Sequence, residues 1–252
     1  MHIDNFANGD SLLHRLDPRI KTIVAVLFSV VVALADRYSC LAVAVGVSLA
    51  LILVARLSLK QVLLRLLAVN TFILFLWLFL PFTYGGEELF SVGPLHATRE
   101  GVIYALLITV KSNAIVLALL ALLATTPIIT LGHAMSHLYV PNKLIHLFFF
   151  TIRYLQALHL EYDRLRDAMK IRAFRPRSNI HTYRSLAYLI GMLLIRSFDR
   201  ADRIRKAMVC RGFHGKFYLL SHFELHRNDV VALVCMMAII SSMAALQWLI
   251  LK

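Results

Sequence analysis

The chain has 252 residues, 60% of them hydrophobic and only 16% charged, with a mean hydropathy of +0.73 and a formal net charge of +13. That apolar share is well above the share in soluble globular domains, so an integral membrane protein is expected, all-α because its apolar runs approach the length of spanning helices. The positive charge is then the basic face of a membrane protein and does not call for a nucleic-acid partner.

The first residues carry Asp4, Asp10, Arg15, Asp17 and Arg19 ahead of any apolar run. A cleaved signal peptide begins with a cationic run and reaches its apolar core sooner, so none is expected. Four apolar runs follow, at about 20–36, 38–55, 62–83 and 102–126, and a last one at about 229–251. Spanning needs ~20 apolar residues. Asp36-Arg37 reads as a tight turn between the first two runs, Pro81 ends the third, and the fourth holds Lys111 near its middle. A charge inside a span costs roughly 3 kcal/mol by insertion scales, so Lys111 is expected to snorkel or to pair within the bundle. Five spanning helices are expected, or six if 143–160 also enters the bilayer.

Between the fourth and last runs the composition changes. Thr126-Pro127 is a helix start with proline at the first helical position, and Pro141 breaks the segment. Residues 161–216 hold 14 Lys/Arg against 5 Asp/Glu, a net of +9 out of the whole chain's +13. By the positive-inside rule this region faces the cytoplasm, as does the loop with Arg56, Lys60 and Arg65, while the 84–101 loop with Glu87, Glu88 and Glu100 is external. The domains read as 1–126, an N-terminal membrane domain of about four helices; 127–228, a cytoplasmic region of amphipathic helices; and 229–252, a C-terminal transmembrane helix.

Within the basic region one phrase occurs twice. Ala168-Met-Lys-Ile-Arg172-Ala173-Phe174 returns 39 residues later as Ala207-Met-Val-Cys-Arg211-Gly212-Phe213. Each small residue and its arginine stand at i and i+4, on one helix face. Gly212 stops the second helix, and Pro176 discourages helix just before it, so both arginines fall in a last turn, where a cation complements the dipole. Two equivalent helix ends, each with one fixed cation, suit a partner with two equivalent sockets. Asp199/Arg203 and Asp202/Lys206 are expected as i,i+4 ion pairs. The stripes Phe198/Ala201/Ile204/Met208 and Leu158/Tyr162/Leu165/Met169 are expected to pack on each other.

Four features together resemble the transmembrane T component (EcfT) of energy-coupling-factor transporters, most closely its cobalt/nickel branch, called CbiQ. Ser11 through Lys21 is similar to the family's opening, and Thr126-Pro127 through Val140-Pro141 to its first coupling helix. Arg153-Tyr154 followed by Glu161 resembles the start of the second, and Arg196-Ser197 through Arg211-Gly212-Phe213 the third. The resemblance implies docking of two ABC-type ATPase subunits, through Ala168, Arg172 and Ala173 in one motif and Ala207, Arg211 and Gly212 in the other. It also implies a separate substrate-binding membrane subunit that selects the metal. Ala173 stands where the family has glycine. Alanine in a left-handed turn costs about 1 kcal/mol, so the first turn is expected to be right-handed.

The chain has no GxxxxGK[ST], so hydrolysis, with its ATP and Mg, is expected in the partner ATPases and not in this chain, which is not expected to be an enzyme or to hold a cofactor. An intramembrane metalloenzyme would need HExxH or paired acidic ligands within a span, and no span has them. His133/His137 has i,i+4 spacing but no third ligand nearby in sequence, His222/His226 repeats the spacing near Glu224, both pairs fall on the cytoplasmic side, and no metal site is expected. Cys40, Cys210 and Cys235 show no paired spacing and read as reduced packing residues. The expected function is a coupling subunit in a bacterial inner membrane that transmits ATP-driven motion to a substrate-binding subunit for cobalt or nickel uptake. The alternatives are a vitamin-type T component and a basic lipid-binding membrane protein.

Overall fold

The structure is a computed structural model, and it describes residues 9, 11–85, 87–92, 95–137, 140–213 and 227–248. Among them the chain runs through a short α1 (Leu12–Arg15), then α2 (Pro18–Leu34), α3 (Tyr38–Ala55) and α4 (Leu59–Thr83), a hairpin of β1 (Glu88–Val92) and β2 (Leu95–Thr98), then α5 (Arg99–Leu122), α6 (Ile128–His137), α7 (Asn142–Ile171), α8 (Ile180–Cys210) and α9 (Arg227–Trp248). Two units result. One comprises residues 1–138 and 223–252, and the other, residues 139–222, is inserted within it.

In the first unit, α3, α4, α5 and the Asp229–Gln247 stretch of α9 are long and apolar enough to cross a membrane. α2, with 17 residues, stands at the lower limit for a span and is not among them, so four of the five expected spans are identified among the described residues. This is the all-α membrane class expected, with a two-stranded antiparallel hairpin added in the 84–101 loop. Asp17 starts α2, its carboxylate accepting the Arg19 N–H at 2.8 Å with Pro18 in the first turn. Pro81 does not end α4; the helix runs on to Thr83, and the Thr98 hydroxyl is within reach of the Pro81 and Tyr84 carbonyls, at 3.3 and 2.7 Å. Gly101 allows this junction, because a Cβ there would lie 2.8 Å from Pro81 Cα.

The core gathers α2, α3, α5 and α9. Small residues line it: Ala44, Ala114, Ala118 and Ala121 are buried, and their size lets helix backbones approach without polar cost. Cys40 is buried with its thiol 3.7 Å from the Met243 carbonyl, while Cys210 and Cys235 are exposed, so only Cys40 is the packing residue expected. α4 turns a broad face outward, including Leu63, Leu67, Phe72, Phe75 and Phe79.

α2 and α5 run antiparallel, tied at both ends. Lys21 Nζ donates to Thr126 Oγ1 at 3.2 Å, and Lys111 Nζ donates to the Ala33 carbonyl and to Asp36 Oδ1, both at 3.0 Å. Lys111 thus pairs within the bundle and closes the carbonyl end of α2, where a cation suits the helix dipole. The turn between α2 and α3 lies at the level of Lys111. Beyond it α5 continues through Arg99–Val110, about 18 Å at 1.5 Å per residue, beside α4. Trp77 Nε1–H donates to Thr109 Oγ1 at 3.0 Å along this stretch, and Tyr84 stacks on Tyr104.

α6, placed by its sequence in the coupling region, belongs to the first unit and packs against α2. The second unit consists of α7 and α8, both long, joined by residues 172–179.

Candidate coupling site

α7 begins after Pro141 and continues unbroken to Ile171; α8 begins at Asn179, whose side chain accepts the Thr182 N–H at 3.2 Å. The two helices cross where Glu161 meets Arg196. Glu161 is buried, and its carboxylate takes the Arg196 guanidinium, with Arg164 at 3.5 Å and Arg200 at 4.0 Å. The Arg196 hydrogen bond, followed by the positive charge of Arg196, Arg164 and Arg200, holds the Glu161 carboxyl below its ordinary range against the opposing effect of burial.

On either side of the crossing the helices leave a groove. One, of about 400 Å³, is apolar and includes Tyr154, Leu158, Ala201, Ile204, Met208 and Phe213. The other, of about 790 Å³, includes Leu165, Met169, Phe174, Leu189 and Met192, with Arg172, Arg175 and Arg177. The two apolar stripes therefore do not pack face to face as expected. The α7 stripe is divided between the grooves, and Phe198 points away with 78% of its surface exposed. The Glu161–Arg196 contact stands between the two grooves, so the α7 stripe meets different parts of α8 on its two sides. Of the expected ion pairs, Asp202–Lys206 forms at 2.6 Å with Arg205 at 2.9 Å. Asp199 and Arg203 instead line the depression beside Glu161.

The repeated phrase takes the same shape twice. At the end of α7 the Phe174 N–H bonds to the Met169 carbonyl at 3.1 Å and the Ala173 N–H to the Lys170 carbonyl at 3.0 Å. At the end of α8 the Phe213 N–H bonds to Met208 at 3.0 Å and the Gly212 N–H to Val209 at 2.9 Å. Each is a Schellman closure, with Arg172 and Arg211 at the last half-helical position. Ala173 has φ +58° and Gly212 has φ +77°. The expected right-handed turn at Ala173 is thus corrected to a left-handed one, because the two carbonyl-satisfying bonds require it and their gain outweighs the strain of about 1 kcal/mol.

Ala168, Arg172, Ala173, Ala207, Arg211 and Gly212 are all exposed, and Met169, Phe174, Met208 and Phe213 are half-buried; Ala168, Arg172 and Ala173 also line the second groove, whereas Ala207, Arg211 and Gly212 stand outside the first. Each Ala carbonyl accepts its arginine's backbone N–H at 3.3 Å. The motifs are kept apart, one at each groove, so that two similar Ala–Arg faces are presented separately. Among the described residues no group of three or more His, Cys, Asp or Glu could hold a metal. The His222/His226 pair lies outside the described residues.

Two contacts were not legible beforehand. Glu161 and Arg196 stand 35 residues apart, and nothing in their local patterns pairs them. The second is a buried polar cluster of Lys21, Asp17, Thr126 and Asp229 in the membrane unit. Asp17-Pro18 carries the same cap-then-proline signal as Thr126-Pro127, which marks the start of α2 but not its partners.

Four helices long and apolar enough to span a membrane, together with an inserted pair of long, basic, arginine-ended helices, define a polytopic membrane protein. The chain belongs to the CbiQ family of cobalt transport proteins, whose model matches residues 9–219. It is similar to the energy-coupling factor transporter transmembrane protein EcfT of Brevibacillus brevis, 29% identical over 84% of each chain, and to that of Leuconostoc gelidum subsp. gasicomitatum, 29% identical over 92% of each. The EcfT of Lactococcus lactis is 26% identical, with 98% of this chain and 97% of that one covered. These matches agree with the resemblance carried by the opening segment and the coupling-helix motifs.

Proposed function

We propose that the chain is the membrane-embedded coupling subunit of an energy-coupling-factor importer, acting for cobalt or nickel ions. Two ABC-type ATPase subunits dock on it, one through Ala168, Arg172 and Ala173 and one through Ala207, Arg211 and Gly212, and a separate membrane subunit binds the substrate. The observation that carries this reading is the duplication of one helix end: two arginines, each in a Schellman closure, each on an exposed Ala face. ATPases in an ABC pair approach each other when nucleotide binds, and two separate helices, each ending in one such cation, can move with them. Arginine suits each socket because its planar fork meets a carboxylate or several carbonyls at once. The second unit, rich in Lys and Arg, lies on the cytoplasmic side of a bacterial inner membrane. ATP and Mg are bound by the ATPases, and no cofactor resides in this chain. The similar relatives are named for energy-coupling factor transport without a substrate, so a vitamin substrate is the second reading.

The test is a tagged pull-down from native membranes with mass spectrometry of the captured proteins. An ABC ATPase and a second membrane protein are expected together, and the second protein identifies the substrate. An intact, folded chain that captures neither refutes the proposal.

A further inference from the structure

The chain leaves the membrane unit after α6 and re-enters it before α9, and the first turn of α2 holds a residue just before α6 and a residue in the first turn of α9. Lys21 is only 1% exposed, and its ammonium donates to Thr126 Oγ1, whose own hydroxyl lies 3.3 Å from the Leu122 carbonyl at the end of α5. Asp17, four residues before Lys21, donates its backbone N–H to Asp229 Oδ1 at 3.0 Å, in the first turn of α9. Asp17, Thr126 and Asp229 are all buried, and the charges of Asp17 and Asp229 act on the Lys21 ammonium. Asp17 Oδ2 is buried with no hydrogen-bond partner in the structure.

A buried ammonium costs several kcal/mol to desolvate, and an apolar side chain of similar volume would pack at less cost. What an ion cluster supplies that an apolar residue cannot is a fixed register between the elements it joins. Thr126 immediately precedes the segment that leads out, and Asp229 follows the segment that leads back. We propose that Lys21 is a positioning residue: with Asp17 it clasps the start of α6 and the start of α9 to one point on α2, so that displacement of the inserted unit reaches the membrane helices through both connections together. The role in transport rests on the coupling function proposed above; the clasp itself does not.

The test uses Lys21→Met in the full chain, read by hydrogen exchange of the purified protein and by Co²⁺ uptake and ATP hydrolysis of the complete transporter. Exchange is expected to rise at least tenfold in the first turns of both α6 and α9 and to stay unchanged in α4. Uptake is expected to fall at least tenfold while the ATPases remain bound and hydrolyse ATP within twofold of the wild-type rate. Thr126→Val, which removes one arm without stranding a charge, is expected to loosen α6 alone. If Lys21→Met does not fold, Lys21→Met with Asp229→Asn removes the charge imbalance and takes its place. Faster exchange at only one junction, or at neither, overturns the clasp, and loosened junctions with normal uptake overturn its role in coupling. A wild-type chain that captures no ATPase defeats the functional reading instead, and the exchange measurement still decides the clasp.

Discussion

Ala173 and Gly212 occupy the same left-handed position, one residue past Arg172 and Arg211, although only one of them is glycine. Among the described residues, and apart from its chain neighbours, nothing lies within 4 Å of a Cβ built on Gly212, so substitution there meets chiefly backbone strain. Ala173→Gly should therefore stabilise the chain by about 1 kcal/mol, and Gly212→Ala should destabilise it by about the same amount. Thermal unfolding in detergent checks both, and shifts of the same sign for the two variants would contradict the matched closure.

Reversing the charge at either helix end should break ATPase capture. In the proposed docking, Arg172→Glu and Arg211→Glu should each lose a charge-assisted contact of about 2 kcal/mol or more, roughly 30-fold in affinity. Lys143→Glu, the same charge change at the exposed start of α7, should leave capture unchanged. Co-purification with the ATPases measures all three, and both arginine variants must still insert into the membrane for the comparison to hold.

Glu161 should make stability depend on acid pH. Its carboxyl is depressed in the folded state, first by the Arg196 hydrogen bond and then by the charges of Arg196, Arg164 and Arg200. A depressed carboxylate contributes fully above its unfolded value, about 4.3, and loses that contribution as the pH falls through the folded value. Glu161→Gln should thus lower the unfolding temperature near neutral pH, and the difference from wild type should shrink below about pH 4. A gap that stays constant down to low pH would show that Glu161 acts through packing alone.

Lys111→Met should cost about 1 kcal/mol, since it releases the Ala33 carbonyl and Asp36 while leaving the core untouched. Asp36 is largely exposed and can be rehydrated, which keeps the cost small. Thermal unfolding reads the stability, and membrane fractionation should show normal insertion.

Cys210 is exposed next to Arg211, whereas Cys40 is buried. A maleimide should label Cys210 in the folded chain and Cys40 only after unfolding. Labelling at Cys210 should block ATPase capture, and bound ATPase should protect it from the reagent. Labelling that leaves capture intact would place the docked surface elsewhere.

The membrane helices were legible because a lipid-facing helix announces itself by length and apolarity, and the five runs fall within a few residues of α2, α3, α4, α5 and α9. The positions of the duplicated helix ends were legible because their signals are local, whereas the left-handed turn at Ala173 was not, since the sequence shows no glycine there. What the pattern could not supply was geometry between distant segments. The stripe on α7 has helical periodicity, yet periodicity does not say whether one partner face meets it along its whole length or only at Glu161. Lys111 looked misplaced in a span because linear position was taken for depth. The short α2 brings its carbonyl end to that level and gives the ammonium its acceptors.

The crossing at Glu161 also divides α7 unequally. About 19 residues, roughly 28 Å of helix, lie before it from Asn142, and about 11 residues, roughly 16 Å, separate it from Arg172. In any rigid rotation about the Glu161–Arg196 contact, the Asn142 end would travel nearly twice as far as the arginine end.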